Sequence, residues 1–234
     1  MNGRVAGYVG GMTARLIDAH VPARPHGAAI VLHGGAGRSA STAVSPAQLS
    51  VLRMVPVAHR LAQVGRGRLA VLRLLNSARG WDAQRTPVDD VRWALGQVGE
   101  RFGNRLPVAL VGHSLGGRAG LLSAGDPQVT SVVALAAWLH PSERVPSAPG
   151  RHVLFVHGDR DRIAPIGPAV SAARRFGRTA DVGFVTVRGG THAMLRHHRE
   201  FDGTAADWVA STVLGDTVDG PVGDVVAGAG WVEV

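Results

Sequence analysis

The stretch PVALVGHSLGG, residues 107–117, decides the fold of this chain. Its first five residues form a short apolar run that predicts a buried strand, and residues 115–124 have the pattern of a helix. Ser114 lies at the turn between them, with Gly112 and Gly116 two positions away on either side, which fits the pattern G-x-S-x-G. A serine on so tight a turn is pushed toward positive φ, and only small residues fit beside it. We therefore expect a serine hydroxyl above the carboxyl edge of a sheet, and the alternative is a glycine-rich turn with an incidental serine.

Apolar runs and helical patterns alternate along the rest of the chain. Further strands are predicted over residues 28–32, 69–75, 129–138, 153–156 and 183–187. Helices are predicted over residues 46–64, with a kink near Pro56, and over 87–102, 166–176 and 205–214. Strands that are continuously apolar and separated by helices indicate a mostly parallel sheet with helices on both faces, an α/β fold.

The chain contains no linker long enough to divide it into two domains. We expect one domain over residues 1–214, followed by a tail, residues 215–234, that carries acidic residues and no arginine. Such a tail is typically solvated or only loosely docked.

Two later turns supply the partners that a nucleophilic serine needs. A serine hydroxyl is a poor nucleophile until a histidine takes its proton, and the histidine needs a carboxylate to fix its tautomer. The stretch VLFVHGDRDRIAP, residues 153–165, carries Asp159 and Asp161 directly after a predicted strand, and GGTHAM, residues 189–194, carries His192 after the next. Carboxyl ends of parallel strands share one edge of the sheet, so these side chains should converge on the serine. The alternatives are a solvated loop histidine and an ordinary charged turn, the latter for one of the two aspartates.

An oxyanion hole requires two backbone N–H groups that point at the developing negative charge. The N–H of Leu115 qualifies because it opens the helix that follows the serine. The loop HGGAG, residues 33–37, follows an early strand, and its glycines would let the Gly35 N–H approach a substrate. A phosphate-binding loop is the rival interpretation, but it needs a lysine that this chain does not contain.

Composition excludes several other classes of site. The chain contains no cysteine, which excludes disulfides, cysteine-ligated zinc, iron–sulfur clusters and a catalytic thiol. All 25 basic residues are arginine and they are scattered, so the net charge of +8 does not indicate nucleic-acid binding. His192, His197 and His198 suggest a metal site, but no carboxylate-bearing motif accompanies them, and we expect neither metal nor cofactor.

Hydropathy gives no sign of a membrane partner. No stretch reaches the roughly 18 apolar residues that a membrane span needs. Residues 1–21 have no continuous apolar segment of the kind found in secretory signals. We expect a cytoplasmic protein.

Together these motifs resemble the α/β-hydrolase family, over most of the chain. GHSLGG looks like the nucleophile elbow of that family, HGG like its oxyanion loop, and the turn with His192 like its catalytic-histidine loop. The acid of the family stands three residues after a glycine, which here is Gly158 and selects Asp161 over Asp159. The resemblance implies a catalytic triad of Ser114, His192 and Asp161.

Two features narrow the resemblance. The nucleophile is serine, whereas dehalogenase and epoxide-hydrolase members use aspartate and dienelactone hydrolases use cysteine. Only a dozen or so residues separate Trp138 from the next strand, which leaves no room for the helical cap that many members carry. The chain looks like a compact, lidless member, similar in layout to dienelactone-hydrolase-like and small esterase branches. Trp138 ends one predicted strand and Trp81 follows another, and both are candidate walls of a substrate pocket; the alternative for Trp138 is a core or rim tryptophan.

These observations predict a serine hydrolase that acts on a small-molecule acyl ester without a cofactor. An acyltransferase or perhydrolase on the same fold is one alternative, and a non-catalytic binding protein is another. Because no lid is expected, short acyl esters in solution should be preferred and a lipid interface should not activate the enzyme.

Overall fold

The structure is a computed structural model that describes residues 7–9, 12–35 and 44–234. In those residues nine strands form one sheet with the order β1-β2-β4-β3-β5-β6-β7-β8-β9. The strands are β1 (Gly7–Val9), β2 (Met12–His20), β3 (Gly27–Leu32), β4 (Leu69–Leu75), β5 (Val108–His113), β6 (Val129–Leu135), β7 (His152–Gly158), β8 (Asp181–Val187) and β9 (Trp231–Glu233). The β1/β2 and β2/β4 pairs are antiparallel, and all other pairs are parallel. The predicted mostly parallel sheet is confirmed.

Helices cover both faces of the sheet. They are α1 (Leu49–Leu52), α2 (Met54–Gly65), α3 (Thr86–Phe102), α4 (Leu115–Leu122), α5 (Ile166–Phe176), α6 (His198–Leu214) and α7 (Gly220–Asp224). Successive side chains of a strand point to opposite faces, so in β3 Ile30 and Leu32 pack beneath α3, α4 and α5, while Ala29 and Val31 pack beneath α2 and α6. A strand buried on both faces must be apolar throughout, which explains the continuous apolar runs in the sequence.

The strands at the edges of the sheet were not predicted from the sequence. Strands β1 and β2 lie at one edge, where β2 carries exposed Arg15 and Asp18 among its apolar residues. An edge strand is only partly covered, so its sequence lacks the continuous apolar run of a central strand.

One predicted helix boundary was misplaced. The helix predicted over residues 46–64 breaks at Arg53, between α1 and α2, and not near Pro56. Pro56 lies in the first turn of α2, where a residue without an N–H leaves no helical hydrogen bond unmade. Helix α6 also begins earlier than predicted, directly after the loop that carries His192.

The acidic tail is packed, which corrects the expectation that it is solvated or loosely docked. Its last strand, β9, pairs in parallel with β8, and the Trp231 ring stacks on Phe184 with 4.4 Å between centroids. Val222 and Val225 are buried against the α2 and α6 face of the core. Two acidic side chains of the tail also form ion pairs, Asp216 with Arg68 at 2.6 Å and Glu233 with Arg188 at 2.9 Å.

The strand arrangement brings three turns together at one edge. Strands β5, β7 and β8 run parallel, so their carboxyl ends point the same way. Ser114 follows β5 directly, Asp161 lies three residues after β7, and His192 lies five residues after β8. The loop from Ala136 to Arg151, between β6 and β7, contains no helix, so no cap covers this edge from there.

Candidate active site

The turn that carries Ser114 is strained in the way its sequence predicts. Ser114 has φ of 55° and ψ of −116°, outside the regions that non-glycine residues favour. A Cβ on Gly112 would lie 2.3 Å from the carbonyl oxygen of Gly116, and a Cβ on Gly116 would lie 2.5 Å from that of Leu32. Both positions therefore require glycine, because any side chain would overlap backbone atoms that cannot move aside.

Three side chains form a continuous chain of hydrogen bonds at this turn. Ser114 Oγ lies 3.0 Å from His192 Nε2, and His192 Nδ1 lies 2.8 Å from Asp161 Oδ2. A carboxylate only accepts, so Nδ1–H donates to Asp161 and leaves Nε2 free to accept the hydroxyl proton of Ser114. This is the geometry that a general base needs in order to activate a serine.

The surroundings of Asp161 keep it ionised. Burial acts to raise the pKa of Asp161, but hydrogen bonds from His192 and from the N–H groups of Ala164 and Ile163 outweigh it. The pKa of Asp161 therefore lies below its ordinary value. Asp159 instead accepts a hydrogen bond of 2.6 Å from the N–H of Gly189, which ties the two turns together.

The turns carrying Asp161 and His192 meet at a contact between two glycines. A Cβ on Gly158 would lie 2.3 Å from the carbonyl of Gly190, and a Cβ on Gly190 would lie 2.8 Å from the Cα of Gly158. The N–H of Arg160 also donates to the carbonyl of Gly190 at 3.0 Å. The spacing between the carboxylate and the imidazole is thus set by backbone contact.

Two buried histidines, His113 beside the serine and His157 near the end of β7, hold these turns. His113 Nε2–H donates to the carbonyl of His192 at 2.9 Å, and His157 Nε2–H donates to that of Ala164 at 2.7 Å. Burial is the main cause that lowers the pKa of both, and that of His113 falls to about 3. Both rings are therefore neutral donors. The signal in the sequence is a histidine at the end of an otherwise apolar strand.

Arg53 supports the histidine turn from outside. Its Nε donates to the carbonyl of Ala193 at 3.0 Å, and its Nη2 pairs with Asp202 at 3.0 Å. Arg53 lies at the break between α1 and α2, and Asp202 lies in α6. These contacts of Arg53 join residues far apart in the chain, so no local sequence pattern predicts them.

The residues predicted to supply the oxyanion donors lie next to each other, since a Cβ on Gly35 would lie 3.4 Å from Leu115 Cδ1. Gly35 and Leu115 both line the cavity at Ser114. Within the residues that the structure describes, neither N–H donates to another protein group. A Cβ on Gly35 would lie 2.2 Å from the carbonyl oxygen of Arg79, so the loop is pressed against the turn after β4. Positions 36 and 37 of the same loop lie outside the described residues.

A hydrogen-bond network anchors that turn to the loop before it. The N–H of Asn76 donates to His33 Nε2 at 3.2 Å, and His33 Nδ1–H donates to the carbonyl of Gly34 at 2.6 Å. The N–H and hydroxyl of Ser77 both donate to the buried Asp90 on α3, at 2.8 and 2.9 Å. Burial raises the pKa of Asp90 from 3.8 to about 6, against the opposing effect of the Ser77 hydrogen bonds.

The cavity above Ser114 has a volume of about 320 Å³. Its lining residues are Gly34, Gly35, Ser50, His113, Ser114, Leu115, Trp138, Ile163 and His192. The structure therefore places Trp138 on the cavity, as the sequence suggested. Trp81 is not among the lining residues, and its ring packs on Arg118, which also contacts Trp138.

The residues that the structure describes contain neither a metal-binding cluster nor a helix that could span a membrane. In residues 12–35 and 44–234, no three histidine or acidic side chains gather closely enough to hold a metal ion. Among the helices described, none combines the length and hydropathy required to cross a bilayer.

Comparison with known proteins identifies the fold. Est1E from Butyrivibrio proteoclasticus is 16% identical over 91% of this chain and 100% of its own, with a TM-score of 0.66. An α/β serine hydrolase homologue from Coxiella burnetii is 16% identical over 88% of this chain and 96% of its own, with a TM-score of 0.65. A lidless α/β serine hydrolase from Xanthomonas campestris is 18% identical over 86% of this chain and 89% of its own, with a TM-score of 0.62.

Matching by sequence gives a different result, since neither a protein-family model nor a curated protein matches the chain. At such low identity the likeness of the structures concerns the fold. The sheet order, the strained serine turn and these structural neighbours agree, and the chain has the α/β-hydrolase fold.

Proposed function

We propose that this protein is a serine hydrolase that cleaves small carboxylic esters. The observation that carries the proposal is the hydrogen-bonded series Ser114–His192–Asp161 on a strained turn beneath an open cavity. Strain of this kind is retained only where the surrounding structure enforces it, and it gathers at active sites. The structural neighbours support the proposal, because serine hydrolases and esterases share this fold.

In the proposed reaction, Ser114 Oγ attacks the ester carbonyl while His192 Nε2 takes the hydroxyl proton. The bond from Oγ to the carbonyl carbon forms, and the tetrahedral intermediate then expels the alcohol, which receives the proton from His192. Asp161 holds the imidazole in the required tautomer and stabilises its transient positive charge. Water then attacks the acyl-enzyme, gives its proton to His192, and releases the acid as Ser114 recovers its proton.

The negative charge on the carbonyl oxygen is the main electrostatic cost of this reaction. We assign its stabilisation to the N–H groups of Gly35 and Leu115. Both residues line the cavity, and neither N–H is used by another group in the described residues. Each such donor contributes roughly 10²- to 10³-fold to kcat when it is held in place before the reaction begins.

The test is labelling with a fluorophosphonate, which reacts with activated serines, followed by turnover of 4-nitrophenyl acetate. Wild-type protein should be labelled and active, whereas Ser114→Ala should lose labelling and at least roughly 10³-fold in kcat. Ser147→Ala is the matched control, because Ser147 is exposed in the loop before β7. Equal turnover in wild type and Ser114→Ala, with both proteins folded, would refute the proposal.

Est1E, one of the structural neighbours, has also been solved with ferulic acid bound. A site on this fold can therefore hold an aromatic acid. The substrate proposed for the present chain is a small-molecule acyl ester.

A further inference from the structure

Beside the cavity, two tryptophans enclose a buried cation. The guanidinium carbon of Arg118 lies 3.9 Å from the ring centroid of Trp81 and 5.4 Å from that of Trp138. The Nε of Arg118 lies 2.7 Å from Glu143 Oε2, and the two side chains are only 11% and 5% exposed. A buried ion pair is costly to desolvate, so its place next to a candidate active site calls for an explanation.

The same cluster fixes the position of Trp138. The N–H of Trp138 donates to the carbonyl of Ser114 at 3.1 Å, and the N–H of Arg118 donates to the same carbonyl at 3.1 Å. Glu143 closes the turn that follows, because its N–H donates to the carbonyl of His140 at 2.9 Å. Trp138 is thus held by the serine turn on one side and by the ion pair on the other.

The charge of Arg118 is not free to bind an anionic substrate. Glu143 compensates it at 2.7 Å, and Arg118 is absent from the residues that line the cavity. Among the cavity residues, the Arg118 guanidinium lies against the Trp138 ring, with 5.4 Å between its carbon and the ring centroid. A cation against an aromatic ring is attracted by the ring's negative face and draws electron density toward itself. A ring polarised in this way favours contact with flat, neutral, electron-rich groups.

The geometry of the reaction indicates which part of the ester meets this ring. The alcohol must leave within reach of His192 Nε2, and the carbonyl oxygen must face Gly35 and Leu115. The N–H of Ile163 donates to the acid Asp161, whereas the N–H of Trp138 donates to the Ser114 carbonyl, and we assign the acyl group to the Trp138 wall of the cavity.

We propose that Trp138, backed by the Arg118–Glu143 pair, selects esters whose acyl group carries a neutral, flat aromatic ring. This inference rests on the proposed hydrolase function and adds the substrate class to it. Arg118 and Glu143 are positioning residues in this scheme, since they act on the substrate only through Trp138.

The first test compares methyl phenylpropanoate with methyl cyclohexylpropanoate, which differ in ring planarity but not in chain length or in conjugation with the carbonyl. Wild-type kcat/KM should favour the phenyl ester by roughly 3- to 10-fold, as expected for one aromatic contact. A merely apolar pocket would favour the more hydrophobic cyclohexyl ester. Trp138→Leu should abolish the preference for the phenyl ester, measured as the ratio of the two kcat/KM values.

The control for this variant is Trp231→Leu, which removes a tryptophan of β9 at the edge of the sheet and should keep the phenyl preference. The leaving-group side is checked with benzyl acetate against cyclohexylmethyl acetate, where no preference is expected. A preference confined to this second pair would overturn the assignment of Trp138 to the acyl group.

The second test concerns the cation behind the ring. Arg118→Met should reduce the preference for a para-methoxy over a para-trifluoromethyl phenylpropanoate by roughly 2- to 5-fold, after each rate is divided by that of alkaline hydrolysis. Arg118→Lys keeps the charge and should restore part of this preference, which a merely structural role would not predict. Glu143→Gln is a second variant in case Arg118→Met does not fold. It weakens the ion pair that positions Arg118, and should change the ratio of the para-methoxy to the para-trifluoromethyl rate.

The outcomes separate the two proposals. Hydrolysis of both propanoate esters at equal rates by the wild type would overturn the inference about Trp138 and leave the proposed function intact. Failure of the wild type to hydrolyse any ester, together with no fluorophosphonate labelling, would overturn both.

Discussion

The three turns that carry Ser114, Asp161 and His192 are packed much more tightly than the outer rim of the cavity. Ser114 and Asp161 are buried, and the glycines beside them press backbone against backbone, as at Gly112 and Gly158. On the rim, Ile163 lines the cavity with 63% of its surface exposed. Leu49, next to the cavity residue Ser50, is 84% exposed, and Leu195, three residues after His192, is 68% exposed.

We relate this difference to two tasks, proton transfer at the tightly packed turns and substrate selection at the exposed rim. A proton transfer needs atoms placed within a few tenths of an ångström, and backbone contacts that admit no side chain provide this. Exposed rim side chains are held by few contacts and can be exchanged at little cost in stability. We therefore expect substitutions in the triad region to affect catalysis or folding strongly, and substitutions on the rim to affect only the range of substrates.

The largest expected effect is on the acid. Asp161→Asn should lower kcat by roughly 10⁴-fold, because an amide no longer holds the productive tautomer of His192. Asp159→Asn is the matched control and should cost far less, since the Asp159 carboxylate accepts a hydrogen bond from the N–H of Gly189 and is not bonded to His192. Steady-state kinetics on 4-nitrophenyl acetate decides between them, and a larger loss for Asp159→Asn would contradict the assignment.

The next effect is steric and appears in stability. Gly112→Ala places a Cβ 2.3 Å from a backbone oxygen and should lower the free energy of unfolding by about 3 kcal/mol or more. Gly96→Ala is the matched control in α3, where a Cβ meets nothing within 4 Å. It should stabilise the protein by about 0.5–1 kcal/mol, because alanine favours the helix. Urea denaturation of both variants measures the contrast, and similar values would show that the serine turn relaxes easily.

Asp90, which is hydrogen-bonded to Ser77 on the turn after β4, makes the stability of the protein depend on pH. Its pKa in the folded protein, about 6, exceeds its ordinary value of 3.8, so folding favours the protonated form. The resulting contribution to stability is complete below about pH 3.8 and is lost as the pH rises through about 6. Relative to Asp90→Asn, the wild type should lose about 3 kcal/mol between pH 3 and pH 7.

Urea titrations of both proteins across this range measure the difference. Ser77→Ala removes a hydrogen bond that favours the ionised carboxylate, and should shift the transition to higher pH. A difference between wild type and Asp90→Asn that does not vary with pH would show that Asp90 titrates normally.

The smallest effects are expected on the rim. Ile163→Ser should change kcat/KM for acetate esters by less than about 2-fold, because the side chain is largely in water in the free protein. Each additional CH₂ of a substrate gains at most about 0.8 kcal/mol when it is buried, and an open cavity buries few of them. Acetyl to palmitoyl esters should therefore show a preference for short chains. A steady rise toward palmitoyl, or a jump in rate above the micelle concentration, would reveal a long pocket or a moving lid.

Prediction from sequence succeeded where a local pattern has one structural solution. The serine turn, the strands with continuous apolar runs and the place of Trp138 on the cavity belong to this group. It failed for β2 and β9, whose partial burial leaves no periodic signal, and for the packed tail. Trp81 shows the boundary between the two cases. The sequence places it near the cavity, and only the packing shows that Arg118 lies between it and Trp138.

The sequence by itself determined the chemistry available to this protein. Steric exclusion at Gly112 and Gly116 acts within a few residues, so the motif is enough to specify a raised serine and the helix N–H beside it. The tertiary structure alone decided the electrostatics and the wall of the cavity. Burial of Asp90, the neutral state of His113 and the Arg118–Glu143 pair all depend on which distant segments exclude water. Desolvation is a property of the packed molecule, and no local stretch of sequence encodes it.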